Sequence, residues 1–145
     1  QCSSVLGFVS MAYRGAYNAS KYAIEGLTDT LRLELKAANI AVVLLQPGPI
    51  NTQFRANALT AFQSNIDINN SVHKAQYQQQ IERLTSEKSN ATFTLEAIDV
   101  TKALIHALES KRPKVRYRIT TPTKIFAVLK RLLPSRWLDQ LLAKG

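Results

Sequence analysis

The residues of this chain best suited to proton transfer are Tyr17 and Lys21, within the segment "YNASK" (17–21). Positions i and i+4 share one face of a helix, so the phenol and the ammonium can point into one pocket. A free tyrosine has a pKa of about 10, and a nearby cation would lower it towards neutral pH. The other tyrosines of this region, Tyr13 and Tyr22, have no lysine four residues later. Because such a pair is common by chance, it predicts catalysis only together with other residues.

A hydroxyl group and a tight turn could complete such a site. Ser4 precedes Tyr17 by thirteen residues at the end of a predicted strand, and spacing favours it over the neighbouring Ser3. The segment "IAVVLLQ" (40–46) is continuously apolar, which predicts a strand buried on both faces, as in a parallel sheet. Ligands of such sheets bind beyond the carboxyl ends of the strands. The turn "PGPINT" (47–52) is therefore predicted to line the site.

The elements around these residues predict an α/β fold. Apolar residues at three- and four-residue intervals predict a helix over 14–38, with Asn39 as its stop. A polar helix is predicted over 72–88 and a strand over 114–119. A helix over 95–110 is predicted to pack through four residues: Ile98, Ala103, Leu104 and Leu108. Two short tail helices are predicted to begin at Thr121-Pro122 and Pro134-Ser135.

The composition excludes several classes of protein. The chain has 145 residues, of which 46% are hydrophobic and 20% charged, as in a soluble globular domain. Its single cysteine, Cys2, cannot form an internal disulfide, which favours a reducing compartment and a cytoplasmic location. No apolar run reaches the length of a membrane span. The two histidines have no partners at ligand spacing, so no metal site is predicted.

The positive charge is concentrated in the tail. The chain carries a net charge of +9, and residues 111–145 hold ten basic residues against the single acid Asp139. An apolar stripe with flanking basic residues predicts either peripheral contact with an anionic membrane surface or packing against the chain's own domain or a partner subunit. The stripe contains Ile125, Phe126, Leu129, Leu132, Leu133, Trp137, Leu138, Leu141 and Leu142, and the flanking residues are Lys130, Arg131 and Arg136. Nucleic-acid binding is not predicted, because the tail has no interleaved aromatic and basic platform.

Four segments in order strongly resemble the short-chain dehydrogenase/reductase family: "SSVLG" (3–7), "YNASK" (17–21), "LRLEL" (31–35) and "LLQPGPINT" (44–52). The resemblance is dense over residues 1–55 and loose beyond them. It implies that residues 1–120 form the C-terminal part of a Rossmann-like, doubly wound parallel sheet, with 52–90 as the substrate-loop region. Residues 121–145 would then be a basic amphipathic tail.

The resemblance also implies an activity, the hydride-transfer interconversion of a carbonyl and an alcohol with NAD or NADP as cofactor. Tyr17 would be the general acid and base, Ser4 would hold the substrate oxygen, and Lys21 would lower the pKa of Tyr17 and bind the nicotinamide ribose. The cofactor would further be contacted by residues of the turn, with Thr52 near the carboxamide and three residues along the nicotinamide: Pro47, Gly48 and Ile50.

The sequence departs from the family pattern in two respects. Its five glycines form no glycine-rich phosphate loop, and the family's catalytic asparagine is absent. We therefore expect the N-terminal dinucleotide-binding half to be missing and the segment alone to be inactive. The alternative is a non-catalytic binding or assembly module derived from such a domain.

Two expectations concern partners. In the substrate-loop region, four apolar residues either line a pocket for a small, lipophilic carbonyl or alcohol, or close a small core of their own: Phe54, Leu59, Phe62 and Tyr77. Strand 40–46 is built for neighbours on both sides, and the strands expected before it are absent. An uncovered apolar face and a free strand edge predict a homo-oligomer.

Overall fold

Helices and short strands alternate along the chain in the computed structural model, which describes residues 1–86 and 93–143. A 3₁₀ turn at Val5–Gly7 is followed by ten further elements: α1 (Gly15–Glu34), β1 (Leu44–Gln46), β2 (Ile50–Asn51), α2 (Phe54–Asn65), α3 (Lys74–Thr85), β3 (Leu95–Glu96), α4 (Ala97–Glu109), β4 (Arg116–Arg118), α5 (Thr121–Leu132) and α6 (Ser135–Leu142). The predicted α/β class is confirmed.

Strand β1 lies at the centre of a parallel arrangement. It pairs with β4 on one side, and on the other side Leu45 forms a parallel bridge with Cys2. Leu44 and Leu45 are buried, as predicted for a strand covered on both faces, but Ile40 at the start of the predicted strand is 53% exposed. The ladder is shorter than the predicted 40–46, because β4 offers only three residues to pair with. Since β1 has neighbours on both sides, the free edge belongs to residues 1–3 instead.

Helix α1 is tied to this sheet by buried polar side chains. The predicted helix is confirmed, but it ends at Glu34 and turns continue to Asn39, which adopts a left-handed φ of 56°. The carboxylate of the buried Glu25 accepts a hydrogen bond of 2.8 Å from Gln46 Nε2 and lies 3.5 Å from Arg116 Nε. One side chain of α1 therefore contacts the ends of both β1 and β4.

Helices α2 and α3 pack against each other and against the loop before α1. The rings of Phe62 and Tyr77 lie 5.4 Å apart between the two helices. Tyr13, in the loop, contacts His73 and Tyr77 at ring distances of 5.7 and 5.9 Å. Tyr13 has a positive φ of 60°, which is costly for a residue with a side chain, so these ring contacts hold a strained backbone in place.

The prediction for the inward face of α4 is wrong. Ile98, Leu104 and Leu108 are 55%, 43% and 76% exposed, and Ala103 is half-buried. An apolar stripe shows that a helix has a face suited to packing, but it does not show what covers that face.

The tail packs on the domain through one face of its two helices. Thr120, one residue before the predicted start, is the N-cap of α5, and its hydroxyl accepts a hydrogen bond from the Thr123 amide. Ala127 and Leu138 are buried, while the Lys130 ammonium donates to the Phe8 carbonyl. The opposite face exposes five apolar side chains: Ile125, Val128, Leu132, Trp137 and Leu141. Among residues 1–86 and 93–143, no helix is long and apolar enough to cross a bilayer.

Candidate active site

Ser4 and Tyr17 come together beyond the carboxyl end of the first parallel segment. Ser4 is buried and caps the 3₁₀ turn, where its hydroxyl accepts a hydrogen bond of 3.2 Å from the Leu6 amide. Tyr17 lies in the first turns of α1 and is half-buried. The Ser4 hydroxyl lies close enough to the Tyr17 hydroxyl to lower the pKa of the phenol. The spacing of thirteen residues therefore brings the serine to the tyrosine, as the sequence predicts.

The pKa of Tyr17 is raised above its ordinary value, contrary to the lowering that the sequence predicts. Burial is the main cause, because it disfavours the charged phenolate; the hydrogen bond from Ser4 acts in the opposite direction, and Cys2 adds a small further rise. The phenol is thus held in its protonated form at neutral pH, as a proton donor requires.

Lys21 lies beside Tyr17, but its charge is directed elsewhere. Its ammonium is 5.6 Å from the centre of the Tyr17 ring and donates a hydrogen bond of 3.2 Å to the Cys2 carbonyl oxygen. The i to i+4 spacing therefore places both groups on one face of α1 as predicted. The net shift of the Tyr17 pKa is nevertheless upward, with burial as its largest cause, so the predicted lowering is not seen in this arrangement.

The turn after β1 joins this site through the backbone. The Val5 amide, directly after Ser4, donates a hydrogen bond of 2.8 Å to the Pro47 carbonyl. The next residue, Gly48, lies so close to the hydroxyls of Thr120 and Thr123 that a Cβ atom there would collide with both. The glycine is thus required by the start of α5.

Ile50 and Thr52 are the remaining turn residues of the predicted site. Ile50 pairs with Leu95 in the parallel ladder of β2 and β3. The exposed Thr52 hydroxyl accepts a hydrogen bond of 3.3 Å from the Phe54 amide, and the Phe54 ring packs edge-on at 5.5 Å from Tyr17. Hydroxyl groups, an ammonium and an open backbone turn form a donor set that suits a ribose and a carboxamide. The residues present therefore fit one half of a nicotinamide dinucleotide.

Sequence reasoning missed the side chains that position α1. Glu25 joins Gln46 to Arg116, and Arg116 in turn forms an ion pair of 2.6 Å with Asp29. Near Tyr17, the side-chain amide of the buried Asn18 donates a hydrogen bond of 3.1 Å to the Met11 carbonyl oxygen and fixes the loop before the helix. A signal was present, because a charged residue eight positions after Tyr17 falls on the same inward face of α1.

Comparison with known proteins places these residues in a family context. Residues 1–63 match the family model described as short chain dehydrogenase. The chain is 41% identical over 140 residues to the uncharacterized oxidoreductase YbbO of Escherichia coli, covering 97% of this chain and 46% of that protein. It is 31% identical over 144 residues to the NADPH-dependent 3-dehydrocapnine reductase of Ornithobacterium rhinotracheale, covering 99% and 49%.

The fold gives the same result. The crystal structure of a short-chain dehydrogenase/reductase from Burkholderia phymatum in complex with NAD matches with a TM-score of 0.61 and 27% identity, covering 97% of this chain and 47% of that one. The chain spans about half the length of the relatives it matches. With its segments aligned in order and its fold matched, the chain belongs to the short-chain dehydrogenase/reductase family.

Proposed function

We propose that the intact protein is an NAD(P)-dependent oxidoreductase that interconverts a carbonyl and an alcohol, with Tyr17 as general acid and base. The observation that carries the proposal is that the fold brings the Ser4 hydroxyl to the Tyr17 phenol, with the Lys21 ammonium 5.6 Å from the centre of the Tyr17 ring. The named relatives support it, since they are an oxidoreductase, an NADPH-dependent reductase and an NAD-bound dehydrogenase/reductase.

Each residue has a distinct role in this proposal. Tyr17 donates its phenolic proton to the substrate oxygen during reduction and takes it back during oxidation. Ser4 donates a hydrogen bond to the same oxygen, where negative charge develops. Lys21 and the turn residues Pro47, Gly48, Ile50 and Thr52 hold the nicotinamide half of the cofactor. The nicotinamide supplies or accepts the hydride, so the protein itself only binds, orients and moves a proton.

Substitution of Tyr17 tests the proposal in the intact protein. Tyr17→Phe removes the proton donor and keeps the ring, so carbonyl reduction followed by NADPH or NADH absorbance is expected to fall by about 10²–10⁴-fold. Tyr22→Phe is the matched control, because Tyr22 lies on the same helix, is 38% exposed and contacts Lys130 instead. Undiminished activity of Tyr17→Phe would overturn the role of Tyr17, whereas the absence of carbonyl reduction by the wild-type protein would support a non-catalytic module.

The isolated segment is expected to be inactive. Its five glycines provide no glycine-rich loop for the cofactor phosphates, so the residues above hold only the nicotinamide half. An assay of the 145-residue chain with NADH and NADPH checks this.

The apolar residues of the substrate-loop region divide into two groups. Phe62 and Tyr77 close the small core between α2 and α3. Phe54 is 53% exposed and packs against Tyr17, so it is the residue best placed to contact a lipophilic substrate.

The exposed face of the tail is proposed to make peripheral contact with an anionic membrane surface. Its five apolar side chains lie among the basic residues Lys124, Arg131 and Arg136. Co-sedimentation with anionic liposomes at low and high salt tests this, and failure to bind at low salt would exclude it.

A further inference from the structure

Three arginines meet where the substrate-loop helices approach the start of α1. Arg14 is the N-cap residue of α1, Arg55 lies in the first turn of α2, and Arg83 lies in the last turn of α3. All three side chains are half-buried. Although the three residues are up to 69 positions apart in sequence, Arg83 and Arg55 lie close enough to Arg14 for their charges to act on its guanidinium group.

The three charges affect one another. The pKa of Arg14 falls to about 10, mainly because its guanidinium is desolvated and also because Arg83 and Arg55 add positive charge. The pKa of Arg83 is lowered for the same reasons, first by burial and then by Arg55. Without a bound anion, the cluster therefore carries an electrostatic cost.

The cluster is not neutralised by the part of the chain that the structure describes. None of the three arginines forms a salt bridge with a described carboxylate. Arg14 donates to the Met11 sulfur at 2.9 Å and Arg83 to the Gln80 side-chain oxygen at 3.1 Å, and both acceptors are neutral. Arg14 Nε is buried and has no hydrogen-bond partner among the described residues. Donor groups and positive charge are thus left for a ligand.

Neighbouring rings place the backbone of Arg14 and Arg55 near the candidate active site. Tyr13, next to Arg14, packs on His73 and Tyr77 of the α3 region. Phe54, next to Arg55, packs on Tyr17 at a ring distance of 5.5 Å. The arginines are therefore adjacent in sequence to residues that contact either the reacting tyrosine or the substrate-loop core.

We propose that Arg14, Arg55 and Arg83 bind an anionic group, a carboxylate or a phosphate, of a substrate whose separate carbonyl oxygen accepts the proton of Tyr17. Guanidinium groups bind both oxyanions through paired, charge-assisted hydrogen bonds. The exposed Phe54 contacts the apolar part of the substrate between the two ends. This inference rests on the proposed function and adds a charged group to the substrate class.

Matched substrates test the proposal in the intact protein. Arg55→Gln is expected to raise KM for an oxo-carboxylate or an oxo-phosphate ester at least tenfold while kcat changes less than twofold. The uncharged counterparts are the amide of the oxo-carboxylate and the alcohol of the oxo-phosphate ester, and their KM should not change in Arg55→Gln. Comparison of the carboxylate pair with the phosphate pair shows which anion the arginines bind. Lys74→Gln is the matched control, since it removes an exposed charge from α3. Equal effects on charged and uncharged substrates would overturn the proposal.

A binding measurement separates this proposal from the proposed function. At constant ionic strength, inorganic phosphate is expected to raise the Tm of the intact wild-type protein, and Arg55→Gln and Arg83→Gln should each lose most of that rise. Arg55→Gln relieves repulsion and removes no hydrogen bond or salt bridge among the described residues, so without phosphate its Tm should be no lower than that of wild type. If phosphate raised the Tm of both variants as much as it raises the Tm of wild type, the proposed anion site would be overturned. Full activity of Tyr17→Phe would instead overturn the proposed function alone.

Discussion

The raised pKa of Tyr17 predicts the direction of the pH dependence. Because burial keeps the phenol protonated, carbonyl reduction is expected to be constant through neutral pH and to fall as pH rises through a pKa above the ordinary 10.0. The Ser4 hydrogen bond lowers that pKa, so Ser4→Ala should move the fall to still higher pH. The same change should reduce kcat by roughly 10²–10³-fold through loss of an oxygen-binding donor. The pH profile of kcat/KM measures both, and a shift to lower pH would contradict this account.

Two glycines in different surroundings give opposite predictions for stability. Gly48→Ala would place a Cβ against the Thr120 and Thr123 hydroxyls, and overpacking of this kind costs about 1–3 kcal/mol. Gly26, within α1, has no neighbour within 4 Å of such an atom, so Gly26→Ala should stabilise by about 0.5–1 kcal/mol. Urea unfolding of the two variants should therefore give changes of opposite sign. A stable Gly48→Ala protein would show that the start of α5 can shift.

At the scale of elements, the contact between α1 and the sheet depends on Glu25. Glu25→Ala would leave the buried Gln46 amide unpaired and remove one ion pair of Arg116, while the Asp29 pair remains. An unpaired buried polar group costs about 1–3 kcal/mol, and the free energy of unfolding is expected to fall by that amount. Glu34→Ala, an exposed change at the end of the same helix, should have almost no effect. Equal losses in the two variants would contradict a specific role for Glu25.

The elements also show what sequence could predict and what it could not. The periodicity around Ile24 and Leu31 predicted α1, and the apolar run ending at Gln46 predicted a buried strand, because both signals are local. The inward face of α4 was predicted wrongly, because the apolar stripe that contains Leu108 does not indicate whether another element packs against it. The place of Glu25 on the inward face of α1 could be read from its spacing, but its partners on two strands could not, because they depend on tertiary packing. The same holds for the proximity of Arg14 and Arg83.

Seen as a whole, the molecule leaves much apolar surface uncovered. Leu33 on α1, Leu108 on α4 and Leu132 on α5 are 73%, 76% and 74% exposed. Such surfaces favour association. Light scattering of the 145-residue chain is expected to give a mass above the 16.2 kDa of one copy. Leu108→Lys should reduce this association, and a stable monomer at high concentration would contradict the prediction.

The contact of Gly48 with the start of α5 links the turn after β1 to the tail. The Ile119 amide also donates a hydrogen bond of 3.3 Å to the Gln46 carbonyl oxygen. The Thr120 and Thr123 hydroxyls form a hydrogen bond of 2.9 Å with each other. Breaking the first turn of α5 would therefore loosen the turn that carries the candidate cofactor residues. We expect the two segments to unfold locally as one cooperative unit, so their protected amide protons should give a common free energy of opening in hydrogen exchange.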